Sequence, residues 1–290
     1  MANPDQIQRF LFKQSAIRGE LVGLKQTYLD ILGQHSYPAM VQRLLGEFCV
    51  ASVLLSGTLK FEGSMTLQFR GSGPLNVLMA ECSDKFDIRA IARWDQSAKE
   101  EGINDEDILE NGILTITIDP RRGERYQGIV NFEGGALRDA LETYFRQPEQ
   151  IRTGIWLSSD NQGAAGMILQ ALPEDDSGRS MENSPQHWEH LLTLAQTTTE
   201  EELRNLSNEE LLYRLFHQEN VTLYDAKEIK FSCSCSWERS SNALLSLGRE
   251  DTLVLLHERD GNIVIDCEFC GKRYNYDQQK VEKLFSNTTH

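Results

Sequence analysis

The chain has 290 residues, 40% of them hydrophobic and 25% charged, and a formal net charge of −15. That is length for about two domains, with the composition of a globular protein rather than a disordered or fibrous one. The negative sign opposes a phosphate-binding surface, so nucleic acid and anionic membranes are not expected as main partners.

The opening MANPDQIQRFLFKQ has no basic stretch followed by an apolar one, so no signal peptide is read there. No apolar run is read as reaching the ~18 residues of a membrane span. A cytoplasmic protein is expected, and in that compartment clustered cysteines point to metal or redox chemistry rather than structural disulfides.

In chain order, residues 7–12 and 20–24 read as strands, and residues 26–33 and 38–59 as helices. The second helix places Met40, Leu44, Leu45 and Phe48 on one apolar face. Residues 65–69, 75–80, 86–94, 112–118 and 126–132 read as strands punctuated by Gly, Asp and Asn. Residues 136–145 form a short amphipathic helix, and 151–157 and 164–172 are the last strands of this part. Strands outnumber helices, and many stand at hairpin spacing. The expected class is α+β, with residues 1–175 as an N-terminal core domain on a mostly antiparallel sheet.

The composition changes at Pro173. Residues 173–184, PEDDSGRSMENS, are polar and turn-rich. Ser184 then offers an N-cap before Pro185, and Trp188, Leu191, Leu192 and Ala195 fall on one helical face. Thr199 with Glu202 and Ser207 with Glu210 have the capping-box spacing. Leu211, Leu212, Leu215 and Phe216 follow as a second apolar stripe. Residues 174–230 hold 13 acidic and 5 basic side chains, a net of −8. Residues 176–231 thus read as an acidic helical linker. Its short helices need their apolar faces docked elsewhere to be stable, although a solvated linker is the plainer reading of such a charge run.

The last 59 residues, 232–290, are too few to be stable without a staple in most cases. They contain four of the six cysteines, as Cys233-Ser-Cys235 and Cys267-Glu-Phe-Cys270, with 31 residues between the pairs. Four thiolates in two clusters match the donor set of a tetrahedral zinc ion. Gly271 permits a tight turn after the second pair. The first pair reaches one ion only if the backbone turns there. In the spacer, residues 242–247 suit a helix, 252–257 a strand, 260–261 a turn and 263–266 a strand. His257 is a spare ligand candidate, with a solvated or packed role the plainer one.

The same thiolates have a redox chemistry. An oxidant strong enough to attack them would join sequence neighbours and eject the ion, and in so small a unit metal binding and folding are one event. An inert zinc staple is the commoner use of such a site, and spacing alone does not choose between the two. Cys49 lies in an apolar run and reads as an inert core thiol; Cys82 has no visible partner. No enzyme constellation appears. Gly71-Ser-Gly73 lacks the third glycine of a dinucleotide fingerprint, and no phosphate loop, nucleophile elbow or His-Glu-x-x-His occurs.

The chain resembles the 33-kilodalton heat-shock proteins, redox-switched chaperones of the cytoplasm. The resemblance is carried by Phe231-Ser-Cys233-Ser-Cys235-Ser, Leu247-Gly-Arg-Glu250 and Ile263-Val-Ile-Asp-Cys267-Glu-Phe-Cys270-Gly-Lys-Arg-Tyr274. Arg18-Gly-Glu-Leu21, Gly123-Glu-Arg-Tyr-Gln-Gly128, Tyr144-Phe-Arg-Gln-Pro-Glu-Gln150 and Ala164-Ala-Gly-Met-Ile-Leu-Gln170 extend it through the N-terminal part. It implies a holdase that uses no ATP and is not an enzyme. In the reduced state one Zn2+ sits on Cys233, Cys235, Cys267 and Cys270, and the chaperone is off. Oxidation forms the Cys233–Cys235 and Cys267–Cys270 disulfides, releases zinc, and unfolds residues 232–290 and the linker. Unfolding client proteins are then held on uncovered apolar surface, with Trp188, Leu191, Leu192, Leu211, Leu212, Leu215 and Phe216 as candidate contacts, and the family forms homodimers. Two other readings are a constitutive zinc-ribbon module that binds nucleic acid and an oxidoreductase working through Cys267 and Cys270. The first is opposed by 9 acidic against 7 basic residues over 232–290, and the second lacks a βαβ setting.

Overall fold

The computed structural model describes residues 5–13, 15–59, 62–95, 108–109, 112–132, 134–146, 151–172 and 185–286. The polar stretch 173–184, with its Ser184 cap, lies outside the described residues. Two compact units divide the chain, Met1–Ser232 and Cys233–His290.

The first unit begins with β1 (Gln6–Phe12), β2 (Ile17–Leu24), α1 (Gln26–Leu32), α2 (Ala39–Thr58), β3 (Gly63–Arg70), β4 (Leu75–Ser83) and β5 (Asp87–Trp94). It continues with β6 (Gly112–Pro120), β7 (Tyr126–Phe132), α3 (Leu137–Arg146), β8 (Thr153–Ser159) and β9 (Ala164–Ala171). Then come α4 (Pro185–Gln196), α5 (Glu200–Asn205), α6 (Asn208–Phe216), β10 (Val221–Leu223), β11 (Lys227–Glu228) and β12 (Lys230–Phe231). One sheet has the order β10-β1-β2-β9-β8, with β11 also on β1; the other runs β12-β5-β4-β3-β6-β7. Among the described residues every pairing in these sheets is antiparallel except the short one of β12 on β5. The fold is α+β.

Helix α2 lies against strands of both sheets, and its buried positions run all round the helix rather than along one stripe, as expected of a core helix. By length and composition its 20 residues are also enough to cross a membrane, contrary to the expectation that no apolar run reaches that length. Gly46, Ser52, Ser56 and Gly57 interrupt the run to the eye, yet all four are buried with their neighbours inside the fold. Gly57 is required where it stands: a Cβ there would lie 1.9 Å from Glu20 Oε2. Glu20 in turn pairs with Arg9 at 2.7 Å. Arg18 donates to Thr58 O at 2.9 Å, and Arg9 donates to Gly57 O. Two guanidinium groups thereby satisfy carbonyls at the negative end of the helix dipole.

The first sheet is buried on both faces, and the two-residue period of its strands sorts the side chains. Ile7, Val22, Leu24 and Ile168 share the core of α2. Phe10, Phe12, Ile17, Leu21, Met167 and Leu169 share a second core with α4, α5 and α6. Gly19 faces Phe10 across the β1–β2 ladder, and a Cβ there would fall 2.2 Å from the Phe10 ring. The glycine leaves room for that ring.

The second unit contains α7 (Trp237–Leu247), α8 (Arg249–Glu258), β13 (Asn262–Asp266), β14 (Arg273–Asp277) and α9 (Gln278–Ser286). Residues 252–257, expected as a strand, are the body of α8. Their Thr-Leu-Val-Leu-Leu run has strand propensity, but Gly248 at φ 92 reverses the chain just before it. Glu250 and Asp251 then occupy the first helical turn, and Thr252 and Leu256, four residues apart, turn one face into the core. The hairpin partner of β13 is β14 instead. The core of this unit is small: Leu244, Leu256, Ile263, Tyr274, Tyr276 and Val281, with Cys235 and Cys267 packed against it.

Candidate metal centre

The four clustered cysteines come from two kinds of turn. Cys233 and Cys235 sit in an irregular segment between β12 and α7, which supplies the bend that a Cys-x-Cys pair needs. Ser236 ends this segment by accepting from Arg239 N at 3.1 Å, an N-cap for α7. Cys267 and Cys270 occupy the loop of the β13–β14 hairpin. Gly271 N donates to Cys267 O at 2.8 Å and Cys267 N donates to Lys272 O at 2.9 Å, and Gly271 takes a φ of 64 that favours glycine. The hairpin is clamped just outside the loop by Arg273 and Asp266, at 2.8 and 3.0 Å.

All four sulfurs lie within 4.8 Å of one another. Cys233 Sγ and Cys267 Sγ are 3.6 Å apart, and Cys235 Sγ and Cys270 Sγ 3.4 Å. A disulfide would need about 2.05 Å, and all four are free thiols. Sulfurs placed about 2.3 Å from a tetrahedral ion stand about 3.8 Å apart. The cluster therefore has the size and the donor set for one metal ion held by four thiolates.

The thiols are not equivalent. Burial raises the Cys235 thiol, but Tyr274 beside it and the neighbouring sulfurs outweigh that and bring it down to about 7. Cys270 is pushed up to about 12, by burial first and then by the other cysteines, and Cys233 moves up for the same reasons. The Tyr274 hydroxyl is buried without a well-formed hydrogen bond, and Cys235 is the main cause of its upward shift. His257 is exposed on the last turn of α8 and lies outside this cluster. Cys49 and Cys82 are fully buried in the core of α2, where burial pushes both thiols up, Cys82 to about 12.

The two apolar stripes meet on one surface elsewhere. Trp188, Leu191, Leu211, Leu212, Leu215 and Phe216 are buried, and Leu192 is packed beside them, all against the outer face of the first sheet. Phe216 meets Phe12 edge-to-face at 5.1 Å and Phe10 at 6.4 Å. Both capping boxes are formed, with Thr199 and Ser207 accepting from Glu202 N and Glu210 N. Polar ties that sequence reasoning missed add to this docking. Asn208 donates to Gln8 Oε1 at 2.8 Å in a buried position, and Arg204 pairs with Asp160 at 3.1 Å and also reaches Ser158. No local pattern signals these, because the partners are far apart in sequence.

A family model described as Hsp33 protein matches residues 5–277. The protein named 33 kDa chaperonin of Azotobacter vinelandii is 48% identical over 286 residues, 99% of this chain and 96% of its own. That of Ectopseudomonas mendocina is 48% identical over 279 residues, 96% and 94% of the two chains. The crystal structure of the Thermotoga maritima 33 kDa chaperonin superposes with a TM-score of 0.81 at 20% identity, covering 98% of this chain and 99% of that one, a likeness of fold.

Proposed function

The chain belongs to the Hsp33 family, and on that premise we propose that it is a redox-regulated holdase, independent of ATP, whose switch is the four-cysteine centre. A chaperone role follows from the family. The finer reading is carried by one observation, the mutual approach of four unoxidised sulfurs. In this reading residues 1–175 are the core domain, 176–231 the linker and 232–290 the switch domain. The protein works in the cytoplasm and holds unfolding clients as a homodimer once activated.

Four soft thiolates select zinc over harder cations. Bound there, Zn2+ supplies the cross-link that the six-residue core of the second unit lacks. Oxidation removes the donors. Within each pair two thiolates lose two electrons, peroxide takes these up together with two protons from solvent, and one S–S bond and two waters result. In the folded site all four sulfurs are mutual neighbours, so proximity there does not select the partners. Once the unit loosens, loop entropy does. Cys233–Cys235 and Cys267–Cys270 close short loops, whereas the closest cross-pairs in the folded site, Cys233–Cys267 and Cys235–Cys270, are 34 and 35 residues apart.

The linker ends at β12, held on β5, and the chain enters Cys233 directly after Ser232; in this reading unfolding of 232–290 spreads back through that short pairing into the linker. Lifting α4, α5 and α6 uncovers both their stripes and the face made by Phe10, Phe12, Ile17, Leu21, Met167 and Leu169. That is an apolar surface of the kind that binds unfolded chains. The linker's excess of acidic side chains, 11 against 5 basic over 176–231, would keep the open form and its complexes soluble. The test is suppression of aggregation of a thermally unfolded client, without ATP, by reduced and by peroxide-treated protein, with disulfides mapped by mass spectrometry. The reading expects suppression only after oxidation, with disulfides inside each pair. Equal suppression by both forms, or cross-pair disulfides in the active form, contradicts it.

A further inference from the structure

The first sheet is closed along β1 by two short pieces of the linker. β10 pairs with β1 through Phe10–Leu223, Leu11–Thr222 and Phe12–Val221, and β11 through Gln6–Glu228 and Ile7–Lys227, both antiparallel. Between these pieces three residues, Tyr224, Asp225 and Ala226, stand opposite two, Gln8 and Arg9. The register slips by one there, and the cover is broken at its middle. At the ends of β10, Lys13 N donates to Asn220 O and Tyr224 N donates to Arg9 O, each at 2.9 Å. Antiparallel alternation then turns the N–H and C=O groups of Arg9, Leu11 and Lys13 toward β10. Gln8, itself buried, donates from its carboxamide to Tyr224 O at 2.9 Å, a contact with main chain that does not depend on the side chain opposite. Val221 and Leu223 pack on the same apolar core as Phe10 and Phe12, and Thr222 between them turns to the other side of the sheet.

A strand edge with unpaired N–H and C=O groups is a template for another chain. β10 and β11 lie within residues 176–231, so their lifting leaves β1 as the outer strand of its sheet, with its backbone edge bare beside the apolar face of Phe10 and Phe12. We propose that this edge receives clients by strand addition. An extended segment of an unfolding polypeptide lies antiparallel on β1, with apolar side chains at alternate positions against Phe10 and Phe12, and Gln8 bonds a main-chain carbonyl of the segment. β10 is the chain's own example of such a segment, with Val221 and Leu223 about Thr222. A continuous segment pairs β1 from Gln6 to Phe12 without the slip at Gln8 and Arg9, and so makes main-chain bonds that the resting cover forgoes. The ligand class is thus extended backbone with apolar residues at every second position. A folded protein, whose strands are already paired, does not offer it. This inference names the client and its mode of binding, and it rests on the holdase reading above.

The experiment measures fluorescence anisotropy of a labelled synthetic peptide, threonine alternating with valine and leucine between terminal lysines, on the full chain. The peroxide-oxidised, zinc-free form is compared with the reduced, zinc-loaded form. Two isomers of the peptide are used, N-methylated either at the threonines or at the valines and leucines, so that side chains and charge are the same in both. With its apolar side chains on the Phe10 side, an antiparallel strand turns its threonine N–H groups to β1. Its valine and leucine N–H groups face away, like that of Val221, which donates to Glu219 O at 3.1 Å. The expected result is binding to the oxidised form alone, about 10-fold weaker or more when the threonines are methylated than when the valines and leucines are. The unmethylated peptide should also slow amide exchange of Leu11 and Lys13 in the oxidised chain. Equal affinity of the two isomers, a larger loss from methylation at the apolar positions, binding to both forms alike, or no binding at all overturns strand addition. Suppression of client aggregation, measured on the same oxidised sample, separates the failures. Clients held without discrimination between the isomers sinks strand addition alone, whereas no client held and no peptide bound sinks the holdase reading with it.

Discussion

Cys267 and Cys270 are each a quarter of the donor set, and each lies in a hairpin loop whose backbone is already satisfied by Gly271 and Lys272. Cys270→Ser should therefore leave the hairpin turn sterically intact while taking zinc content from one per chain to none at micromolar protein. Because metal binding and folding coincide in so small a unit, the same change should abolish the protected amides of residues 237–286 in hydrogen exchange. Zinc retained at one equivalent would show that the sulfurs are not the ligands. A residue of the opposite kind is Gly57, which leaves no space beside Glu20 and Ile7. Gly57→Ala should destabilise the first unit by about 1–3 kcal/mol in urea unfolding without touching zinc content. The cysteines were legible from spacing alone. Gly57, Asn208 and Arg204 were not, since what fixes them is the side chain that long-range pairing places opposite.

The elements of the linker are individually weak, and their docking is what makes them helices. Phe216 sits at the centre of that docking between Phe10 and Phe12. Phe216→Ala should cost about 3–5 kcal/mol of it, and the reduced, zinc-loaded variant should then suppress client aggregation without oxidant; silence of the folded variant would separate the linker from client binding. The two capping boxes add a pH dependence. Backbone N–H groups of Thr199 and Ser207 hold the Glu202 and Glu210 carboxyls below the usual range. Their folded values are depressed, so the stability they give is present above the ordinary glutamate range and is lost as pH falls through the lower folded values. Exchange of residues 199–216, corrected for its intrinsic pH dependence, should quicken in that acid window. The Glu202→Gln, Glu210→Gln double variant keeps the caps and should flatten the response. These helices were readable because a capping box is a local signature. Residues 252–257 point to a strand by the propensity of their apolar run, yet they are helical in α8, because the glycine turn before them and the pairing of β13 with the distant β14 decide the matter.

For the whole molecule, the arrangement separates a robust part from a conditional one. The first unit has a long core helix enclosed by two sheets, and its strand order joins β1 and β2 to β8 and β9, some 140 residues away. The sequence supplied β1 to β9 but neither the short β10, β11 and β12, which fall in the stretch expected to be helical linker, nor the two-sheet enclosure of α2, because pairing partners are not encoded in local periodicity. The second unit has a minimal core and four sulfurs. Late in the first unit lie α4, α5 and α6, whose removal exposes a sheet face already apolar. The central claim is that the state of the four sulfurs decides whether those helices stay docked. The most direct measurement is hydrogen exchange of residues 185–216 in the reduced, zinc-loaded protein and in the peroxide-oxidised, zinc-free protein at raised temperature. The account predicts that protection there collapses on oxidation while α2 and its sheets keep theirs; unchanged protection of residues 185–216 with zinc gone would contradict it.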